Sequence, residues 1–197
     1  MKRNQNSIFS THNMVIMAVL TAIQIVLARY LSIQVNETLR ISFETVPLAL
    51  AGMWFGPLGG AVVALVSDIL GTIIYGYGVW FPPIALGPVF FAAFCGWCTK
   101  YLFRSSLSET KDTWKVIVIT AFAGIINAFV IGVLTTTLYQ MIVVGKEGSF
   151  MILAMANLAG RMTTKPFVIV ATSLVTALIN RAVYRPVISR IVRRGAI

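Results

Sequence analysis

The sequence predicts an all-α membrane protein, one domain over residues 1–197, with six transmembrane helices and both termini in the cytoplasm. Three observations predict it. Hydrophobic residues make up 58% of the chain and charged residues only 11%, whereas a soluble chain carries about 25% charge. The outer surface must therefore face lipid, in a multi-pass protein of the cell membrane. Apolar segments suited to membrane helices follow one another along nearly the whole length. Finally, 11 of the 16 basic residues fall in three clusters: Lys2 and Arg3; Lys100, Arg104, Lys111 and Lys115; and Arg181, Arg185, Arg190, Arg193 and Arg194. An even number of spans between clusters puts all three on one side, which the positive-inside rule makes cytoplasmic. The net charge of +10 thus tracks helix ends rather than one face, which argues against a nucleic-acid partner. It suits a lipid bilayer, with anionic lipid near the tail.

The first span covers residues 14–31, interrupted before Arg29 only by Thr21 and Gln24. A partly polar outer segment, 32–44, follows. Spans two and three, 45–55 and 58–75, are joined by Gly56-Pro57, since proline favours the first turn of a new helix. Both are shorter than the roughly 20 residues that cross hydrocarbon. Short spans interrupted by Gly and Pro leave room for a mid-membrane cavity in transporters. An uncharged loop rich in aromatics, 75–83, leads to span four at 84–103 and then to the basic loop. Span five, 114–144, and span six, 150–183, flank the short outer turn Gly145-Lys146-Glu147-Gly148.

Ionisable side chains in lipid are expensive and mark function or pairing. Arg29, Asp68, Arg161 and Lys165 are such residues. Asn157, Arg161 and Lys165 recur every four residues, which groups them on one helix face. Two cations there repel each other and make sense opposite an anion. Asp68 is either their counter-ion or a hydrogen-bond partner for a ligand. Tyr75, Tyr77, Trp80 and Phe81 form either an interfacial belt or a lid that stacks on a flat ligand. Ala18 and Ala22 give the first span a small-residue face, for packing within the bundle or for docking on another membrane subunit.

Other chemistries find little support. His12 is the one histidine, so a metal cluster is not expected. No phosphate loop of the Gly-x-x-x-x-Gly-Lys-Ser/Thr type occurs. No catalytic constellation lies within the spans, so neither an enzyme nor a cofactor is expected. Cys95 and Cys98 read as small packing thiols. Gly76-Tyr77-Gly78 lacks the Thr-Val lead of a potassium filter. The charged N-terminus runs into the first span without a small-residue cleavage site, so no cleaved signal is expected.

One resemblance gathers these features. The Ala18-x-x-x-Ala22 face, the stretch Leu39-Arg40-Ile41-Ser42-Phe43-Glu44-Thr45-Val46-Pro47, and Phe55-Gly56-Pro57-Leu58-Gly59-Gly60 leading to Asp68-Ile69-Leu70-Gly71 resemble the substrate-binding S-components of energy-coupling factor (ECF) vitamin transporters. The likeness covers nearly the whole chain and is strongest to the folate-specific member; siblings carry riboflavin, thiamin or pantothenate. It implies a subunit that captures its vitamin with high affinity at the outer face. The subunit then associates with a transmembrane coupling protein and two ATPases, topples, and releases the vitamin inside. It also implies that Ala18 and Ala22 pack on the coupling protein. Folate's flat rings suit the aromatic loop, and its carboxylates suit Arg29, Arg161 and Lys165, with Asn157 and Asp68 as hydrogen-bond partners.

Overall fold

A computed structural model describes residues 10–36, 39–75, 81–102 and 113–183. The elements run α1 (Thr11–Arg29), β1 (Ile33–Asn36), β2 (Leu39–Ile41), α2 (Thr45–Tyr75), α3 (Pro82–Trp97), α4 (Thr113–Ile125), α5 (Gly132–Ile142) and α6 (Phe150–Val183). A π-helical turn, Cys98–Leu102, extends α3, and another, Ile126–Ile131, joins α4 to α5. Among the described residues, five helical segments are long and apolar enough to cross a membrane. The termini, the basic loop around Arg104 and Lys111, and Trp80 lie outside the described residues.

The fold is not purely helical. Residues 33–41, expected only as a polar outer segment, form an antiparallel hairpin that pairs Ile33 with Ile41 and Gln34 with Arg40. Pairing gives their backbone donors and acceptors partners where the chain leaves α1.

α2 is one element divided in two. Gly56 has φ 80° and ψ −177°, a conformation that side chains with a Cβ rarely adopt, and Pro57 contributes no N–H to the preceding turn. The halves fold back on each other. A Cβ on Gly60 would lie 2.7 Å from the Gly52 Cα, whereas eight residues of straight helix span about 12 Å. α3 wedges into this angle: a Cβ on Gly96 would lie 2.6 Å from each of Gly52 O, Gly56 C and Pro57 N. Backbones come this close in lipid only where side chains are small.

α2 packs on α1 and α3, and α6 packs on α4 and α5; α3 also meets α4 and α5, and α2 meets α6, so one core runs through the bundle. Between α2 and α6 the Trp54 indole Nε1 donates to Asn180 Oδ1 at 2.8 Å. Hydroxyls in the spans bond back to their own helices, as Thr21 to Met17 O, Thr120 to Val116 O and Thr176 to Thr172 O. That satisfies polar groups where no water reaches.

Candidate functional site

Among the polar residues of α5 and α6, two pairs face each other. Thr136 and Gln140 stand one turn apart on α5, and Asn157 and Arg161 stand one turn apart on α6. All four line a cavity of about 200 Å³, together with Lys146 from the turn after α5 and Gly160 from α6. The Lys146 N–H bonds back to Gln140 O at 3.0 Å, which folds that turn against the end of α5.

Asn157 is buried, at 8% exposure, and its orientation follows from its neighbours. Thr137 is fully buried and donates its hydroxyl to Val133 O at 2.8 Å. Its oxygen is left to accept, and Asn157 Nδ2 donates to it at 3.1 Å. Nδ2 also donates to Gln140 Oε1 at 2.8 Å, while Gln140 Nε2 returns a bond to Asn157 Oδ1 at 3.4 Å. A carbonyl of α5 thus sets, through one hydroxyl, which way both amides point.

Arg161 is held as firmly. Nη1 donates to Ala128 O at 3.2 Å and Nη2 to Thr136 Oγ1 at 2.6 Å. With Lys146 it gives the cavity two cationic side chains, and among the described residues that line it none is acidic. The arrangement suits an anion with flat or amide-like groups beside it. At this volume it takes part of a ligand, since whole drug-sized ligands occupy about 300–1,000 Å³.

The other sequence candidates are spread further. Lys165 is half-buried and does not line this cavity. Four residues over-rotate a helix by about 40°, so two such steps turn it about 80° from Asn157. Arg29 lies against α2, where a Cβ on Gly71 would meet its Nε and Nη2 at 3.4 Å. Asp68 sits one turn before Gly71 and its carbonyl accepts from Thr72 Oγ1 at 2.9 Å. Arg29 and the Asp68 turn therefore adjoin where α1 packs on α2. Phe81 packs edge-on against Tyr139 of α5, ring centroids 5.8 Å apart, beside Gln140. Tyr75 ends α2; its side chain, like Trp80, lies outside the described residues. Ala18 and Ala22 are exposed on α1, on a face shared with Val15, Val19 and Val26. Sequence reasoning missed Thr136, Gln140, Lys146 and Gly160; the polar pair Thr136/Gln140 inside an apolar span was the available signal.

Comparison with known proteins identifies relatives of this chain. Residues 8–180 match the family model for the ECF-type riboflavin transporter, S component. The chain is 33% identical over 112 residues to the folate transporter FolT of Clostridium novyi, covering 57% of this chain and 63% of that protein. It is 35% identical over 71 residues to the folate transporter FolT of Leuconostoc mesenteroides, covering 36% and 37%. The matches thus span less than two thirds of either curated relative. In fold it is similar to the crystal structure of FolT bound with folic acid, with a TM-score of 0.64 at 23% identity, over 85% of this chain and 93% of that one.

Proposed function

The chain belongs to the S-component family of ECF-type transporters matched over residues 8–180, and on that premise we propose that its vitamin is folate. The observation that carries the choice is the fixed Arg161, which faces the cavity beside Lys146 and the Asn157–Gln140 amide pair. Folate has two glutamate carboxylates for such cations and a ring system rich in amide-like groups. Riboflavin, named in the family model, is neutral at pH 7 and gives a cation in this position nothing to neutralise. The folate transporters among the relatives support the same choice.

In this reading Arg161 and Asn157 contact the ligand directly. Tyr75, Trp80 and Phe81, the last packed on Tyr139, supply aromatic contacts to the ligand's flat rings. Arg29, Asp68 and Lys165 act on the ligand's far end. The halves of α2 on either side of Gly56 cross the membrane separately, so six spans bring both termini to the cytoplasm. The exposed face of Ala18 and Ala22 docks on a transmembrane coupling protein, and two ATPases supply the energy for release.

The test is binding by the purified chain without ATP. Calorimetry is expected to show tight folate binding, and Arg161→Ala to weaken it by about tenfold or more, as loss of a charge-assisted contact should. Binding of riboflavin, thiamin or pantothenate with none of folate refutes the substrate. Unchanged folate affinity in Arg161→Ala refutes the site.

A further inference from the structure

In an α-helix the carbonyl of residue 128 accepts from the N–H of residue 132. Here the Gly132 N–H bonds Asn127 O, five residues back, in the wide turn of the π-helix. Ala128 O is thereby deprived of its ordinary helical donor, and Arg161 Nη1 donates to it from α6. Thr136, four residues beyond Gly132, accepts from Nη2. Between these two anchors the guanidinium lies over Gly132 itself. A Cβ there would collide with Nη1 and stand 3.1 Å from Cζ. The π-turn, the missing side chain and one hydroxyl together make a seat that fits a guanidinium.

These bonds occupy two of the five N–H groups on the guanidinium. Among the described residues, the other three remain for a ligand in the cavity that Arg161 lines. The fork is oriented before the ligand arrives, which removes an ordering cost that binding otherwise bears. A planar fork of this kind matches a carboxylate, to which it can donate two parallel bonds.

We propose that the π-turn Ile126–Ile131, Gly132 and Thr136 are positioning elements for Arg161, and that through it they set a preference for carboxylate-bearing ligands over neutral ones of the same shape. The proposal rests on the folate reading and adds to it which residues make the discrimination.

The probe is a pair of ligands, folate and its analogue with both glutamate carboxylates converted to amides, titrated against the purified full chain. The wild-type chain is expected to favour folate by about tenfold or more. Thr136→Val, which exchanges a hydroxyl for a methyl, should lower folate affinity about tenfold while the diamide changes little, so the ratio narrows. Thr136→Ser keeps the hydroxyl and should restore the ratio. Gly132→Ala should act in the same direction; Thr136→Ala replaces any variant that fails to purify as a folded monomer. A ratio unchanged in Thr136→Val and Thr136→Ala, or equal losses for both ligands, overturns the inference while folate binding stands. A wild-type chain that does not bind folate overturns the folate reading and this inference together.

Discussion

Replacing Gly96 by alanine tests the packing on which the N-terminal half depends. The new Cβ would stand 2.6 Å from three atoms, Gly52 O, Gly56 C and Pro57 N. Ordinary contact between such atoms begins near 3.5 Å, so each is about 0.9 Å too close. All three belong to backbone, and two of them to the kink itself, so no side chain can turn aside. Either α3 backs away from α2 or the angle at Gly56 opens. Overpacking costs about 1–3 kcal/mol, and a clash against three fixed atoms belongs near the top of that range, at about 3 kcal/mol. The assay is unfolding in mixed micelles titrated with a denaturing detergent, followed by tryptophan fluorescence. Gly160→Ala is the control. Nothing lies within 4 Å of a Cβ there, and alanine in place of glycine within a helix gains about 0.5–1 kcal/mol. A Gly96→Ala protein as stable as the wild type, within about 0.5 kcal/mol, would mean that the α2 and α3 backbones do not meet as described.

Two further outcomes are expected. Asn157→Leu removes the donor to Thr137 and Gln140 while leaving the Thr137 bond to Val133 O. Folate affinity should fall at least about tenfold and stability by about 1–3 kcal/mol; calorimetry and the same unfolding titration measure these, and unchanged affinity rejects the amide pair as a ligand contact. Topology is checked by labelling single cysteines in a Cys95→Ala/Cys98→Ala background, since both native thiols are buried. Lys146→Cys should react with a membrane-impermeant maleimide on intact cells, and Lys100→Cys only after permeabilisation. Labelling of both from the same side contradicts six spans with cytoplasmic termini.

Hydropathy made the helices legible because lipid demands long apolar runs, and Gly56-Pro57 marked the break because few other pairs combine a positive φ with a missing donor. The hairpin carried a signal that went unread. Ile33-Gln34-Val35-Asn36 and Leu39-Arg40-Ile41 alternate apolar and polar residues at the strand period. Four-residue spacing brought Asn157 and Arg161 together, but the over-rotation of the helix turned Lys165 aside. The π-turn at 126–131 was not legible at all. Its wide turn leaves the Ala128 carbonyl to Arg161, more than thirty residues later, and no local composition announces that partner. The opposing pair Thr136/Gln140 was visible as polar residues in an apolar span, yet its significance needed the neighbouring helix.

The placing of the cavity has a consequence for how a change there spreads. The cavity belongs to α5 and α6, whereas the exposed face of α1 lies on a helix packed mainly against α2. A shift at one reaches the other through α2 and α3, which meet α6 and α5, and the Trp54–Asn180 bond is one such link. Trp54→Phe should cut that link while leaving every residue that lines the cavity in place.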